Sequence, residues 1–390
     1  EVYGADSEFL YKAKFVITLD SDTRLYFGAA SEMICAMLHP ANKPEIKDGR
    51  VVSGYGIMQP KTEPTLSSAS RTPFSVLLSG ASGTDLYSFA SYETYQTLFK
   101  EGIFCGKGIF DVRLFSMLIP DAFPENTILS HDLLEGEILR CGALTDMTLN
   151  DNTPKNPLAF YKRAHRWVRG DIQSLRYAFS KAPSKDQKKA KNPLSGLSRY
   201  KIFDNLRRAL LKPSSLICMI ISVFMSRKIG AITIILTLLP YFVPLFLSLF
   251  SLLRTARRRF CSFTLPGAIS ASAHALYEIA SLPFAALNDT DAVIRASVRG
   301  YITHKKTLEW VTASDADSRM YGIWLYLKKM LLSMLVGLFF VVFSKGAGYR
   351  LLGLLWVFFP IIAFRLGIEF NRFRSITRTE KALACKYAFD

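Results

Sequence analysis

Two carboxylates stand two positions apart in Leu19-Asp20-Ser21-Asp22-Thr23, directly after the apolar run Phe15-Val16-Ile17-Thr18-Leu19. The run reads as a buried β-strand, and side chains alternate along a strand, so Asp20 and Asp22 project from one side where the strand frays into a turn. Paired hard oxygens at a strand end suit a divalent cation, Mg2+ or Mn2+, that also holds diphosphate oxygens. The same residues would also make an ordinary Asp-rich turn.

Three further stretches carry chemistry. Phe104-Cys105-Gly106-Lys107-Gly108-Ile109-Phe110-Asp111 places a lysine between two glycines, where backbone approaches a ligand closely and Lys107 meets an anion or a sugar hydroxyl; a turn with an exposed lysine is the plain alternative. In Ser130-His131-Asp132-Leu133-Leu134-Glu135-Gly136, Ser130 reads as the N-cap of a helix over 133–141. Asp132 is then either a first-turn acid favoured by the helix dipole or, in a cleft, a general base, with His131 beside it. Arg163, Arg166 and Arg169 recur every third residue, which predicts one broad basic helix face with Trp167 projecting elsewhere. Such a triplet clamps a diphosphate while an indole offers its face to a sugar, or else it is a solvated face with Trp167 in the core.

The elements that must position these groups follow from pattern. Residues 1–180 read as an α/β domain, with a helix over 29–38 stopped by His39-Pro40, a strand over 51–59 ended by Pro60, and helical pieces within 84–99. A strand so close to residue 1 leads us to expect that the N-terminal part of this domain is missing. Residues 181–208 form a basic approach with Lys181, Lys185, Lys188, Lys189, Lys191 and Arg199. Apolar runs then predict a transmembrane hairpin over 209–253 and a second over 323–366, four spans in all. Between them, 254–322 is expected to be a cytoplasmic, interfacial region with a short amphipathic helix near 276–284, and 367–390 a cytoplasmic tail.

Half of the 390 residues are hydrophobic and the net charge is +17. The positive excess flanks apolar runs rather than an aromatic-laced groove, so it marks membrane orientation and not a nucleic-acid partner. Six scattered cysteines, none in a Cys-x-x-Cys pair, argue against both a zinc ribbon and a disulfide framework and fit thiols in a reducing compartment.

Taken in order, these blocks resemble the processive glycosyltransferases of the cellulose and hyaluronan synthase type. More closely, they resemble the glycosyltransferase domain of the cyclic β-1,2-glucan synthases, together with Gly54-Tyr55-Gly56-Ile57-Met58-Gln59-Pro60, Phe123-Pro124-Glu125-Asn126, His165-Arg166-Trp167-Val168-Arg169-Gly170-Asp171 and Leu308-Glu309-Trp310-Val311-Thr312-Ala313. The resemblance implies an incomplete glycosyltransferase A-type, Rossmann-like α/β domain followed by a transmembrane helical region. It implies inverting transfer of glucose from UDP-glucose to the 2-hydroxyl of a growing β-1,2-glucan at a bacterial inner membrane, multi-pass, with the catalytic domain cytoplasmic. Asp132 would be the base, Asp20 and Asp22 the metal site, and Arg163, Arg166 and Arg169 the diphosphate clamp. Trp167, Gly106, Lys107 and His131 would meet the acceptor. The motif positions differ from the cellulose type: Ser130-His131 stands where that type has Thr-Glu, and Arg163 where it has Gln. A related β-glycan or glycolipid synthase is the nearest alternative, and a transporter with a soluble lid the other, although the spans hold few ionisable residues to mark a route.

Overall fold

The computed structural model describes residues 12–81, 92–124, 127–186, 188–256, 264–309 and 321–370. Four strands, β1 (Phe15–Thr18), β2 (Ile57–Pro64), β3 (Gly108–Asp111) and β4 (Cys141–Asp151), form one mixed sheet in the order β1-β3-β2-β4. β3 runs antiparallel to β1 and β2, with Thr18 opposite Gly108 and Met58 opposite Ile109, while β2 and β4 are parallel. The carboxyl ends of β1, β2 and β4 and the amino end of β3 therefore share one edge.

The sheet departs from the sequence reading in one strand. Residues 51–59 are not one strand: Arg50–Ser53 pairs with Glu45–Lys47, and β2 begins at Ile57. Nor does Pro60 end β2; the register with β4 slips between Pro60 and Lys61, and the strand continues to Pro64. A proline without an N–H interrupts a ladder, and here the interruption is absorbed as a bulge. Helix α1 (Ala29–Leu38) lies where periodicity put it and buries Ala29, Met33 and Met37 against Met58, Ile109 and Met147. Helices α2 (Asp132–Leu139) and α3 (Pro157–Ser174) follow, the latter started by Asn156, whose side chain accepts from the Ala159 amide, with Pro157 in the first turn.

The second half is helical: α4 (Gly196–Val223), α5 (Arg227–Leu238), α6 (Val243–Ala256), α7 (Thr264–Ser297), α8 (Ile323–Phe343) and α9 (Ala347–Leu366). Among the described residues three helical stretches are long and apolar enough to cross a membrane: Arg227–Phe250, which joins α5 to α6 through a tight turn at Pro240, then α8 and α9. The remaining expected span, from residue 209, coincides with the C-terminal half of α4, a single helix whose N-terminal half is docked in the α/β domain, and α4 is not among those three stretches. α7 also differs from the short interfacial helix expected at 276–284. It runs for 34 residues and packs against α3, α4, α6, α8 and α9, with Ala280, Leu282, Ala285 and Ala286 buried. Small residues let neighbouring helices approach closely there, which is why a stretch that reads as weakly apolar is a packing centre. The expected helical region 84–99 is described only at 92–99, which is helical, and the block at 310–313 lies outside the described residues.

Candidate active site

The shared sheet edge gathers acidic side chains around a lysine. Asp20 follows β1 after Leu19, Gly106 and Lys107 precede β3, and Asp151 ends β4. α2 and α3 flank this edge, and between them opens a cleft of about 200 Å3 lined by Asp20, Gly106, Lys107, Ser130, Asp132, Arg163, Arg166, Trp167, Asp171, Ser174 and Asn205. Ligands of α/β sheets bind beyond the carboxyl ends of strands, which is this location.

Lys107 is buried and bridges two carboxylates, Asp151 and, at 3.1 Å, Asp20. Burial opposes its charge, yet the two acids hold its pKa above the ordinary lysine value. Asp151 also accepts from the Thr23 hydroxyl at 3.2 Å and lies 3.8 Å from Arg163, so this one buried carboxylate ties the Asp20 turn, the glycine loop and α3 together. Asp22 does not line the cleft itself. Burial, and then the Asp151 charge, push its carboxyl above the usual range, against the fields of Lys107 and Arg163. Two carboxylates after a strand are the hard oxygen donors that a divalent ion takes, but the Asp20 carboxylate is paired with Lys107, and among the described residues the His131, Asp132 and Glu135 ligand atoms are the group that lies within 4.8 Å of one another.

Asp132 faces Gly106. The glycine adopts φ +88°, and a Cβ built there would sit 3.3 Å from the Asp132 carboxyl group, so only glycine lets the loop lie against this acid. The cap reading needs correction: the helix starts at Asp132, His131 occupies the cap position without a side-chain cap bond, and the Ser130 hydroxyl instead donates to Asp132 at 3.3 Å. Burial raises the Asp132 pKa, the His131 charge lowers it and Glu135 raises it. His131 is exposed, does not line the cleft and pairs with Glu135 at 2.8 Å, a bond that raises its own pKa against burial.

Along α3 the three arginines separate. Residues three apart on a helix are 300° apart, so after two steps Arg169 has turned away from Arg163, while Trp167, four residues on, has nearly returned. Accordingly Arg163 lies over the Trp167 ring at 5.0 Å, and both line the cleft with Arg166. Arg169 instead donates to the Glu309 carbonyl at 2.6 Å on the far side of the helix. The Arg163 Nε is buried and has no hydrogen-bond partner among the described residues. Gly170 is where α3 meets the Ser130 loop: a Cβ built there would lie 2.8 Å from the Ser130 Cβ.

Four lining or supporting residues escaped sequence reasoning: Asp151, Asp171, Ser174 and Asn205. Asp151 ends an 11-residue strand in Asn150-Asp151-Asn152, which reads as turn chemistry. Asp171 and Ser174 do carry a signal, since they continue the Arg163–Trp167 stripe along the helix. Asn205 comes from α4, and only the packing of the helical half on the sheet half brings it in.

No family model matches the chain. Against curated proteins, it is 34% identical over 318 residues to the cyclic β-(1,2)-glucan synthase NdvB of Rhizobium meliloti (strain 1021), an alignment covering 79% of this chain. The matched part is 11% of that much longer protein. The motif blocks and the alignment agree: an α/β domain followed by apolar helices, this chain is related to one segment of the cyclic β-(1,2)-glucan synthases.

Proposed function

We propose that this chain provides the glucosyl-transfer centre of a multi-pass membrane synthase, moving glucose from UDP-glucose to the 2-hydroxyl of a growing β-1,2-glucan with inversion. The observation that carries this reading is the meeting, in one cleft, of an acid at a helix start with two arginines, a buried lysine and an indole. Asp132 takes the acceptor hydroxyl's proton as that oxygen attacks the anomeric carbon, and the bond from that carbon to the diphosphate breaks. One displacement from the opposite face inverts the configuration and needs no carboxylate nucleophile. Arg163, Arg166 and Lys107 bear on the charge that grows on the leaving diphosphate, and the buried Arg163 Nε has a donor to give it. Asp20 and Asp22 would hold Mg2+ or Mn2+, which supplies Lewis-acid neutralisation of the same oxygens. Trp167 offers an aromatic face to a sugar ring, and Gly106 leaves room for it beside Asp132.

Three apolar helices and flanking basic residues support a bacterial inner-membrane location with the α/β domain in the cytoplasm. Membranes containing the complete enzyme, given UDP-glucose labelled with 13C, should release UDP and build glucan whose NMR spectrum shows β-1,2 linkages. Another linkage would assign the chain to a different β-glycan synthase, and no UDP release would remove transferase activity altogether.

A further inference from the structure

Three of the elements around the cleft meet at the last residue of β4. Asp151 is 2% exposed and does not itself line the cleft, but it holds two residues that do, Lys107 and Arg163. Its Oδ1 accepts from the Thr23 hydroxyl at 3.2 Å, while its Oδ2 takes the Lys107 ammonium and stands 3.8 Å from the Arg163 guanidinium. The backbone repeats the first of these ties: Arg24 donates to the Asn150 carbonyl at 2.7 Å, and Asn150 to the Arg24 carbonyl at 3.2 Å. One carboxylate thus fixes the turn after β1, the entry to β3 and helix α3 relative to one another.

Lys107 and Arg163 carry like charges on separate elements, and the Arg163 charge opposes that of Lys107. Left to themselves they would draw apart; an oxygen shared between them offsets the repulsion and sets their spacing. Lys107 has a second acid, Asp20 at 3.1 Å, but Asp20 is exposed and sits on the turn that Asp151 holds through Thr23, so the buried carboxylate is the fixed point. Charges ordered before reaction need no rearrangement as charge grows on a leaving group, and a misplacement of about 1 Å costs about a hundredfold in rate. We infer that Asp151 is a positioning residue of the transfer centre: through Lys107 and Arg163 it sets where positive charge meets the leaving diphosphate, while touching neither donor nor acceptor. This rests on the transfer reading above, and it adds a residue outside every motif block.

The test uses the complete enzyme. Asp151→Asn keeps the shape and an acceptor for Thr23 but removes the charge. Measured as UDP release from UDP-glucose, kcat should fall about a hundredfold with KM raised by no more than about fivefold, because the diphosphate carries most charge as its bond breaks. Calorimetry should show UDP bound about tenfold more weakly and uridine within about twofold of the wild type. Removing one partner of a buried ion pair also destabilises, whereas removing both restores much of the loss, so the double variant Asp151→Asn, Lys107→Met separates the two roles. Its thermal midpoint should return toward the wild type while its turnover stays at the level of Lys107→Met alone. Wild-type kcat in Asp151→Asn, turnover that recovers with the midpoint in the double variant, or uridine weakened as much as UDP would overturn the inference. Should the wild type release no UDP from UDP-glucose, the transfer reading fails; a selective loss of UDP affinity in Asp151→Asn would then still uphold Asp151 as the residue that orders the two cations, and equal affinities would remove that as well.

Discussion

At the scale of single residues, the candidate base is defined by what surrounds it. Asp132 must be ionised to accept a proton, and burial raises its pKa, so the acid limb of the turnover profile should fall above the ordinary carboxylate range near pH 4. The signs of its neighbours make this specific. His131 lowers the Asp132 pKa, so His131→Ala should move the limb to higher pH; Glu135 raises it, so Glu135→Gln should move the limb lower. Asp132→Asn should cost about two orders of magnitude or more in turnover while UDP-glucose still binds, and pH-dependent initial rates of UDP release measure all three. Normal synthesis by Asp132→Asn would return this acid to a helix-start role. Most of these residues were legible beforehand, because an acid after an apolar run or a lysine between glycines is unusual enough to mark. Asp151 was not: the charge that organises Lys107, Thr23 and Arg163 sits in a stretch of asparagine and aspartate that looks like any turn.

At the scale of elements, the site depends on how closely α3 lies against the loop before α2. Gly170→Ala tests that contact with opposed effects of known size. In an exposed helix the change would stabilise by about 1 kcal/mol, but here the added methyl meets the Ser130 Cβ at 2.8 Å and overpacking costs about 1–3 kcal/mol. The expected outcome is a lower thermal midpoint with turnover falling further than stability, since Ser130 holds the Asp132 carboxyl. A raised midpoint with full activity would show that the contact yields freely. Periodicity located α1 to the residue, yet put Arg169 on the face of Arg163 and Trp167 off it, began α2 one residue late and ended β2 too soon. The last two misses have one cause: a cap or a proline is a local preference, and the sheet register and the Ser130–Asp132 bond override it. α7 escaped for the opposite reason, since alanine and serine carry little hydrophobic signal but pack tightly.

At the scale of the molecule, the two helix turns at residues 224–228 and 344–347 lie side by side. The Tyr349 hydroxyl donates to the Gly230 carbonyl at 3.0 Å and also bonds Ser222, and residues from both turns line one small cavity. Both should therefore respond together: single cysteines placed near Gly230 and near Gly346, in a background without other thiols, should be labelled by an impermeant reagent from outside the cell, and one near Ser184 should not. Labelling at Ser184 alone would reverse the orientation. The apolar runs made this half visible in the sequence; that α4 begins as a domain helix and ends among the apolar ones was not. Lys201, near its start, is buried against Glu137 of α2 at 2.7 Å and Glu101 at 3.2 Å, Asn205 reaches the cleft, and Leu216, Met219 and Val223 pack with Phe340, Tyr349 and Trp356. One helix of 28 residues, with Pro213 inside it, thus has its first turns fastened in the α/β domain and its last turns among apolar helices whose depth, on the membrane placement proposed above, is set by the lipid. Such helices tilt or shift when acyl chains are too long or too short for them. On the membrane placement proposed above, bilayer thickness would reach this cleft through α4, and with it the position of Asn205.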